Sequence, residues 1–197
     1  METDELDART RALIERGELE RATERVLRAY GGELARWLCS ILPVEADAQE
    51  AFSRMSEELW KSLPRFDGRC SVRTWCYMLA RHAASRVRAN PRNDRELLVS
   101  QIPSIQHAMT DAWSTSMVEA KRVRDVYAEI RSTLDDDDQT LLALRVDRDL
   151  SWREIAIVLL GEDAAADEVD KKAASLRKQF ERVKERLKQL AAERDED

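Results

Sequence analysis

Apolar residues recur at helical spacing along three stretches in the first half of the chain. The first stretch predicts a helix over about 20–42, the second a helix over about 48–63 and the third a helix over about 72–87. Each ends at or shortly before a proline. A loop with a Pro and an Asp-Gly pair, residues 64–69, separates the second helix from the third. These stretches predict one compact bundle, with parts of the N-terminal segment as a candidate fourth helix.

The helical pattern returns in the second half of the chain after a gap. Periodicity fades between about 90 and 116, where prolines and scattered Ser and Thr indicate a linker that can hold a short helix. An apolar stripe over 123–134 then predicts a helix. Ser151 is a candidate N-cap, and Glu154 would complete its capping box. Apolar residues at steps of four and three over 176–190 predict the last helix.

Composition narrows the fold class to all-α. The 197 residues include only 5 Gly and 4 Pro, whereas β-sandwiches and barrels need many tight turns built from those residues. We therefore predict two small helical domains joined by a linker. The predicted divisions are an acidic N-terminal extension over 1–19, a first domain over 20–92, a linker over 93–117, a second domain over 118–192 and an acidic tail over 193–197.

Several function classes are excluded by what the sequence lacks. No apolar run approaches the roughly 20 residues that cross a bilayer, and the acids in the first twenty residues exclude a secretory signal. We therefore expect a cytoplasmic protein without membrane insertion. Three irregularly spaced cysteines and two distant histidines form neither a disulfide framework nor a zinc motif. The sequence predicts no metal, no cofactor, no catalytic residues and no enzyme activity.

Charge is unevenly distributed along the chain. The formal net charge of −6 argues by itself against a nucleic-acid partner. Residues 60–93 nevertheless contain eight Lys and Arg against one acid, and residues 171–188 contain eight against two. Like charges at helical spacing repel one another, so the two basic blocks predict two phosphate-contacting surfaces. The alternative is that both blocks are ordinary solvated helix faces.

Motifs in both predicted domains resemble one family. In the first domain they are Val26-Leu27-Arg28-Ala29-Tyr30-Gly31-Gly32-Glu33-Leu34, Asp47-Ala48-Gln49-Glu50 with Trp60, Arg65-Phe66-Asp67-Gly68-Arg69, and Val72-Arg73-Thr74-Trp75 running to Leu79-Ala80-Arg81. In the second they are Leu150-Ser151-Trp152-Arg153-Glu154-Ile155-Ala156 and Leu176-Arg177-Lys178-Gln179-Phe180-Glu181-Arg182-Val183-Lys184. The first set resembles region 2 of an extracytoplasmic-function (ECF) sigma factor of the sigma-70 family. The second resembles region 4, with its helix-turn-helix, and the two sets follow the family's order.

This resemblance implies an alternative sigma factor that binds core RNA polymerase and directs it to promoter DNA. In the family, region 2 recognises and opens the −10 element and region 4 recognises the −35 element. The −10 candidates are Arg69, Ser71, Arg73, Trp75, Arg81, His82, Arg86 and Arg88. The −35 candidates are Ser175, Arg177, Lys178, Gln179, Arg182 and Lys184. The resemblance also allows an anti-sigma factor as a partner.

Some of these assignments have structural alternatives. Trp75 fits core packing as well as DNA contact, and His82 is better explained as a surface histidine. The apolar spacing over 176–190 also fits a coiled coil, although two heptads are too few to favour one. Arg177 and Lys178 are placed early in the recognition helix, where helix-turn-helix proteins carry residues that contact bases.

The chain departs from the family pattern in two places. Region 2 usually carries a Gln followed by an acid that contacts polymerase, and this chain has Ser53 and Arg54 there. The polymerase-docking candidates are therefore Asp47, Gln49, Glu50, Glu57 and Trp60. The turn before the recognition helix is also long and acidic over 162–170. Either that helix begins near Asp167, or the turn contains an inserted loop.

Two other functions stay open. A helical regulatory module could bind polymerase or another protein without recognising promoters, and both departures favour it. A DNA-binding regulator that uses only the C-terminal helix-turn-helix leaves the basic first domain unexplained. Transcripts started at defined sites by the purified protein and core polymerase would separate these functions.

Overall fold

A computed structural model of the chain describes residues 3–42, 44–89, 101–116 and 134–195, the last five by their backbone alone. The chain divides into two compact units, Met1–Lys121 and Arg122–Asp197. Every regular element in the described ranges is a helix, which confirms the all-α prediction.

The first unit contains five described helices. They are α1 (Thr3–Glu15), α2 (Leu19–Ile41), α3 (Glu45–Ser62), α4 (Val72–Ala89) and α5 (residues 103–116). A short 3₁₀ turn, Leu63–Arg65, follows α3. The three helices predicted from the apolar stripes are confirmed as α2, α3 and α4, and α1 is the fourth helix that the N-terminal segment could supply.

Helices α2, α3 and α4 pack around a common core. The fully buried side chains of α2 include Val26, Leu34 and Trp37. Trp37 meets Tyr77 of α4 edge to face, with ring centroids 5.4 Å apart and planes at 79°, a geometry that aromatic pairs prefer. This core fixes α4, which carries four of the eight basic residues of the first block, against α2.

Helix α5 lies within the segment 93–117 that we predicted as a linker. Its buried face consists of Ile105, Ala108, Ala112 and Ser116. Ala112 lies against Gly31 of α2, and the Ser116 hydroxyl donates to the carbonyl oxygen of Gly32 at 2.8 Å. Because most of the buried residues are Ala or Ser, the apolar periodicity of this helix is weak in the sequence.

The two glycines of α2 provide a test of this packing. A Cβ at Gly31 would lie 2.8 Å from the Cβ of Ala112, whereas at Gly32 the nearest atom is Arg36 Nη1 at 3.6 Å. We expect Gly31→Ala to lower the free energy of unfolding by about 1–3 kcal/mol and to increase hydrogen exchange over α5. Gly32→Ala should instead be neutral or stabilise the helix by about 0.5–1 kcal/mol. Equal effects in denaturation and exchange would contradict the α2–α5 contact.

The second unit contains α6 (Asp136–Leu142), α7 (Trp152–Leu160) and α8 (Ala166–Asp195). A π-helical turn, Ala143–Asp147, continues α6. The stripe that we predicted over 123–134 lies outside the described residues except for Leu134, which is buried.

The connection between α7 and α8 settles how α8 begins. The predicted capping box of α7 is confirmed: the Glu154 N–H donates to Ser151 Oγ at 3.3 Å, and the Ser151 N–H donates to the Glu154 carboxylate at 2.8 Å. The helix ends at Gly161, whose φ is 100°, and α8 begins at Ala166. The early helix start is therefore confirmed, and the inserted-loop alternative is wrong.

The apolar stripe of α8 packs inside the second unit. Val169, Ala173, Leu176 and Val183 are buried, and Val183 belongs to a cluster with Leu134 and Leu142, against which Phe180 and Leu187 also pack. Phe180 in addition meets Trp152 of α7 with ring centroids 5.2 Å apart. The stripe is thus used within the unit, which argues against the coiled-coil alternative.

Candidate nucleic-acid and polymerase interfaces

A tight loop, residues 66–71, connects the 3₁₀ turn to α4. The Asp67 carboxylate accepts from the backbone N–H of Arg69 at 3.1 Å and from Arg69 Nε at 2.5 Å. These hydrogen bonds hold the pKa of the Asp67 carboxyl below its usual value. Gly68 between them has a φ of 74°, a conformation that favours glycine. Arg69 is exposed, but its guanidinium is already bound to Asp67 of the same loop.

Two side chains bind the N–H groups at the start of α4. Ser71 Oγ accepts from the N–H of Thr74 at 3.1 Å, as an N-cap does. Both carboxylate oxygens of Asp7, in α1, accept from the N–H of Val72, at 3.2 and 3.3 Å. Burial raises the pKa of the Asp7 carboxyl, although the bond to Val72 and the charge of Arg11 oppose that shift. Ser71, a −10 candidate, is therefore occupied in capping α4.

Trp75 is placed in the core and not on the surface. Its side chain is 2% exposed, and its ring packs against Phe66 with centroids 4.9 Å apart. A buried indole cannot stack on a base without unpacking the bundle. The core alternative therefore agrees with the structure, and Trp75 is removed from the DNA-contacting set.

Arg73 forms a partly buried ion pair with Glu33 of α2. Arg73 Nε and Nη2 donate to the two carboxylate oxygens at 2.8 and 3.0 Å, and the guanidinium lies 5.6 Å from the centroid of the Tyr77 ring. Such a bidentate pair is among the stronger side-chain contacts. Arg73 would have to leave Glu33 in order to bind a phosphate.

The remaining −10 candidates lie in the C-terminal half of α4. Arg81 and His82 are half-buried, and Arg86 and Arg88 are exposed. Arg86 lies 3.8 Å from the Glu58 carboxylate, a distance at which the guanidinium stays accessible to another anion. Arg88 donates to the carbonyl oxygen of Ile41, at the end of α2, at 2.6 Å. Among the arginines of the −10 candidates, Arg81 and Arg86 are therefore the two left for contact with a phosphate.

The polymerase-docking candidates on α3 differ in exposure. Gln49 is exposed, whereas Asp47, Glu50 and Trp60 are half-buried. Glu57 is 7% exposed and pairs with Lys61 at 2.5 Å, so its assignment to a docking surface is corrected. Glu50 pairs with Arg54 at 2.6 Å. The Arg that replaces the family's acid thus neutralises the neighbouring carboxylate.

The −35 candidates lie on α8 but not at its start. Arg177 is the twelfth residue of a helix that begins at Ala166, so its placement and that of Lys178 early in the helix are corrected. Ser175, Arg177, Lys178, Arg182 and Lys184 are exposed. Gln179 is half-buried and donates to Asp138 at 2.7 Å. Lys184 lies over the Phe180 ring and pairs with Glu181 at 3.0 Å.

Two carboxylates that we did not single out from the sequence bind residues in the first turn of α4. Asp7 is 65 residues from its partner Val72, and Glu33 is 40 residues from Arg73. Both belong to stretches that the sequence analysis described, but no local spacing links an acid to a partner so far along the chain. Only the packing of α1 and α2 against α4 brings them together.

In the described part of the chain, the His, Cys, Asp and Glu side chains form no group of three that could hold a metal ion. Cys76 is buried, and burial raises the pKa of its thiol, which therefore stays protonated at neutral pH. None of the described helices is both long enough and apolar enough to span a bilayer.

Comparison with known proteins gives one match, which lies in the first unit. The family model for sigma-70 region 2 matches residues 26–92, a range that covers most of α2 and all of α3, the loop and α4. The chain has no match among curated proteins or solved structures. Residues 26–92 are therefore similar to sigma-70 region 2, and this similarity covers about a third of the 197 residues.

Proposed function

We propose that this protein is an alternative sigma factor of the ECF group, which binds core RNA polymerase and directs it to promoters through −10 and −35 elements. The observation that carries the proposal is the match of residues 26–92 to region 2, because region 2 is the part of sigma factors that binds core polymerase. An anti-sigma factor would inhibit the protein by covering the surfaces that bind polymerase and promoter DNA.

The arrangement of the loop and α4 supports recognition of the −10 element. Arg81 and Arg86 offer guanidinium groups to phosphates, which position a nucleic acid without selecting its sequence. They lie about 14 and about 21 Å along the helix from the start of α4, at about 1.5 Å per helical residue. The loop 66–71 at that start is compact and contains one glycine. A single strand of DNA can therefore run along α4 while one of its bases reaches the loop 66–71.

The α7–α8 pair supports recognition of the −35 element. A helix of 9 residues, a turn and a helix of 30 residues can present the second helix to a major groove. At about 100° per residue, Ser175, Lys178 and Arg182 fall on the side of α8 opposite its buried stripe. This outward side is where a groove-binding helix carries its contacts.

A regulatory module without promoter recognition is the second candidate. The first turn of α8 carries Asp167 and Glu168, which stabilise a helix N-terminus but repel DNA phosphates. The Glu50–Arg54 pair also changes the surface that the family uses for polymerase. Such a module would bind polymerase and start no transcripts.

Run-off transcription on genomic fragments tests the proposal. We expect the purified protein and core polymerase to start transcripts at a small set of defined sites that core polymerase alone does not use. Co-purification with core polymerase without defined starts would support the regulatory module. Binding of DNA without binding of polymerase would support the plain DNA-binding regulator.

A pair of charge variants tests docking through α3. We expect Asp47→Lys with Gln49→Lys to weaken binding to core polymerase about tenfold, because adverse charge at an interface lowers affinity. Neither residue belongs to the buried core, so circular dichroism should be unchanged. The matched control is Glu15→Lys with Gln106→Lys, which makes the same charge change at exposed positions of α1 and α5. Equal losses in the two proteins would place the docking surface elsewhere.

A further inference from the structure

Helix α1 holds the loop 66–71 and the start of α4 through two side chains on one of its faces. Asp7 and Arg11 are four residues apart and so lie side by side on a helix. Asp7 binds the N–H of Val72 with both oxygens. The guanidinium carbon of Arg11 lies 2.9 Å from the position that a Cβ of Gly68 would take. One helix thus contacts both the glycine of the loop and the first turn of α4.

The contact of Asp7 is more than a helix cap. Ser71 already caps α4 from within the loop, so the helix does not depend on a distant carboxylate for its start. Asp7 is 7% exposed, and a buried carboxylate is costly unless it accepts hydrogen bonds. Its bond to Val72 therefore couples α1 firmly to the position at which the loop becomes helix.

Arg11 acts on the other side of the same junction. Gly68 has a φ of 74°, and any side chain there would meet the Arg11 guanidinium. At Gly68 the loop therefore lies against the Arg11 side chain of α1. With Asp7 fixing Val72 and Arg11 covering Gly68, the three residues between these positions have little freedom to change their path.

We infer that Asp7 is a positioning residue for −10 recognition: it holds the loop 66–71 in the conformation that receives an unpaired base of the promoter strand. This inference rests on the proposed function. Asp7 lies in a helix outside the matched region 2 and does not itself contact DNA. It acts through the backbone of Val72, so that loss of its acceptor loosens the loop without removing any cation.

Binding of single-stranded DNA to the holoenzyme tests this role. The probes are a labelled oligonucleotide carrying the −10 sequence found by run-off transcription and an oligo-dT of equal length. We expect Asp7→Leu to weaken binding of the −10 oligonucleotide about tenfold, the cost of losing a charge-assisted hydrogen bond, with oligo-dT binding unchanged. Asp7→Asn retains a carbonyl oxygen that can accept from Val72, so it should restore most of the affinity. Glu5→Leu, an exposed acid of the same helix, is the matched control and should have no effect.

Arg11→Met provides a second variant that cannot be confused with misfolding, because Arg11 is exposed. It should also weaken binding of the −10 oligonucleotide, but by less than Asp7→Leu does. The inference is wrong if Asp7→Leu and Arg11→Met both bind like the wild type, or if Asp7→Asn is as weak as Asp7→Leu. Equal loss of −10 and oligo-dT binding would also overturn it, because the defect would then be general. Failure of the wild-type holoenzyme to prefer the −10 oligonucleotide would instead overturn the proposed function.

Discussion

We expect Trp37→Ala to lower the free energy of unfolding of the first unit by about 3–5 kcal/mol, the usual cost of deleting a buried aromatic side chain. Trp37 is fully buried and joins α2 to α4 through its edge-to-face contact with Tyr77. Its removal leaves a cavity between α2 and α4, the helix that carries Arg81 and Arg86. Urea denaturation followed by circular dichroism measures the loss.

Two variants separate this effect from a general loss of aromatic surface. Trp37 Nε1 has no hydrogen-bond partner in the described part of the chain, so Trp37→Phe removes no hydrogen bond and should cost much less than Trp37→Ala. Trp60 of α3 is only half-buried, and Trp60→Ala should also have a small effect. A loss for Trp60→Ala as large as that for Trp37→Ala would show that the core is not centred between α2 and α4.

The elements that could be predicted from the sequence are those whose signals are local. The stripes of α2, α3 and α4 each repeat within a few residues, and the prolines or loop residues that end them lie next to them. The capping box of α7 needs only Ser151 and Glu154, three residues apart. Such signals do not depend on how the rest of the chain folds, because they follow from the geometry of a single helix.

The contacts that could not be predicted join residues far apart in the chain. Nothing near Asp7 indicates that it binds Val72, and the helix period alone does not show that Glu57 is covered by neighbouring helices. The sequence allowed a short helix in the predicted linker, but it did not indicate that α5 packs against α2, for a related reason. Its partner on α2 is the Gly31–Gly32 pair, and small residues that allow close approach produce no apolar stripe.

The count of basic residues overstates the phosphate-binding surface of the first unit. Arg69 is bound by Asp67, Arg73 by Glu33 and Arg88 by a backbone carbonyl. Charges used in this way stabilise the loop and the packing of α4. The basic surface that is available to phosphates is thus smaller than the sequence suggests, because Arg69, Arg73 and Arg88 already have partners within the unit.

The start of α8 at Ala166 changes which residues should contact DNA in the second unit. From the sequence we placed Arg177 near the front of the predicted recognition helix, but α8 already has three turns before that residue. Along α8, Val169, Ala173, Leu176 and Val183 define the buried side. At about 100° per residue, Arg177 and Lys184 lie beside that stripe, whereas Lys178 and Arg182 lie opposite it.

We therefore expect Lys178→Ala with Arg182→Ala to weaken binding of −35 duplex DNA far more than Arg177→Ala with Lys184→Ala, although both pairs remove two positive charges. Neither Lys178 nor Arg182 forms an ion pair with another described residue, whereas Lys184 is paired with Glu181. Each lost phosphate contact lowers the slope of log affinity against log salt by about 0.9, so the first pair should lower it by about 2. Fluorescence anisotropy of the holoenzyme on a labelled −35 duplex, measured over a range of salt concentrations, gives both quantities. A larger loss in the second pair would mean that α8 meets DNA with the side next to its buried stripe. Unchanged binding in both pairs would mean that α8 does not enter the groove, because phosphate neutralisation on either side must appear in the salt dependence.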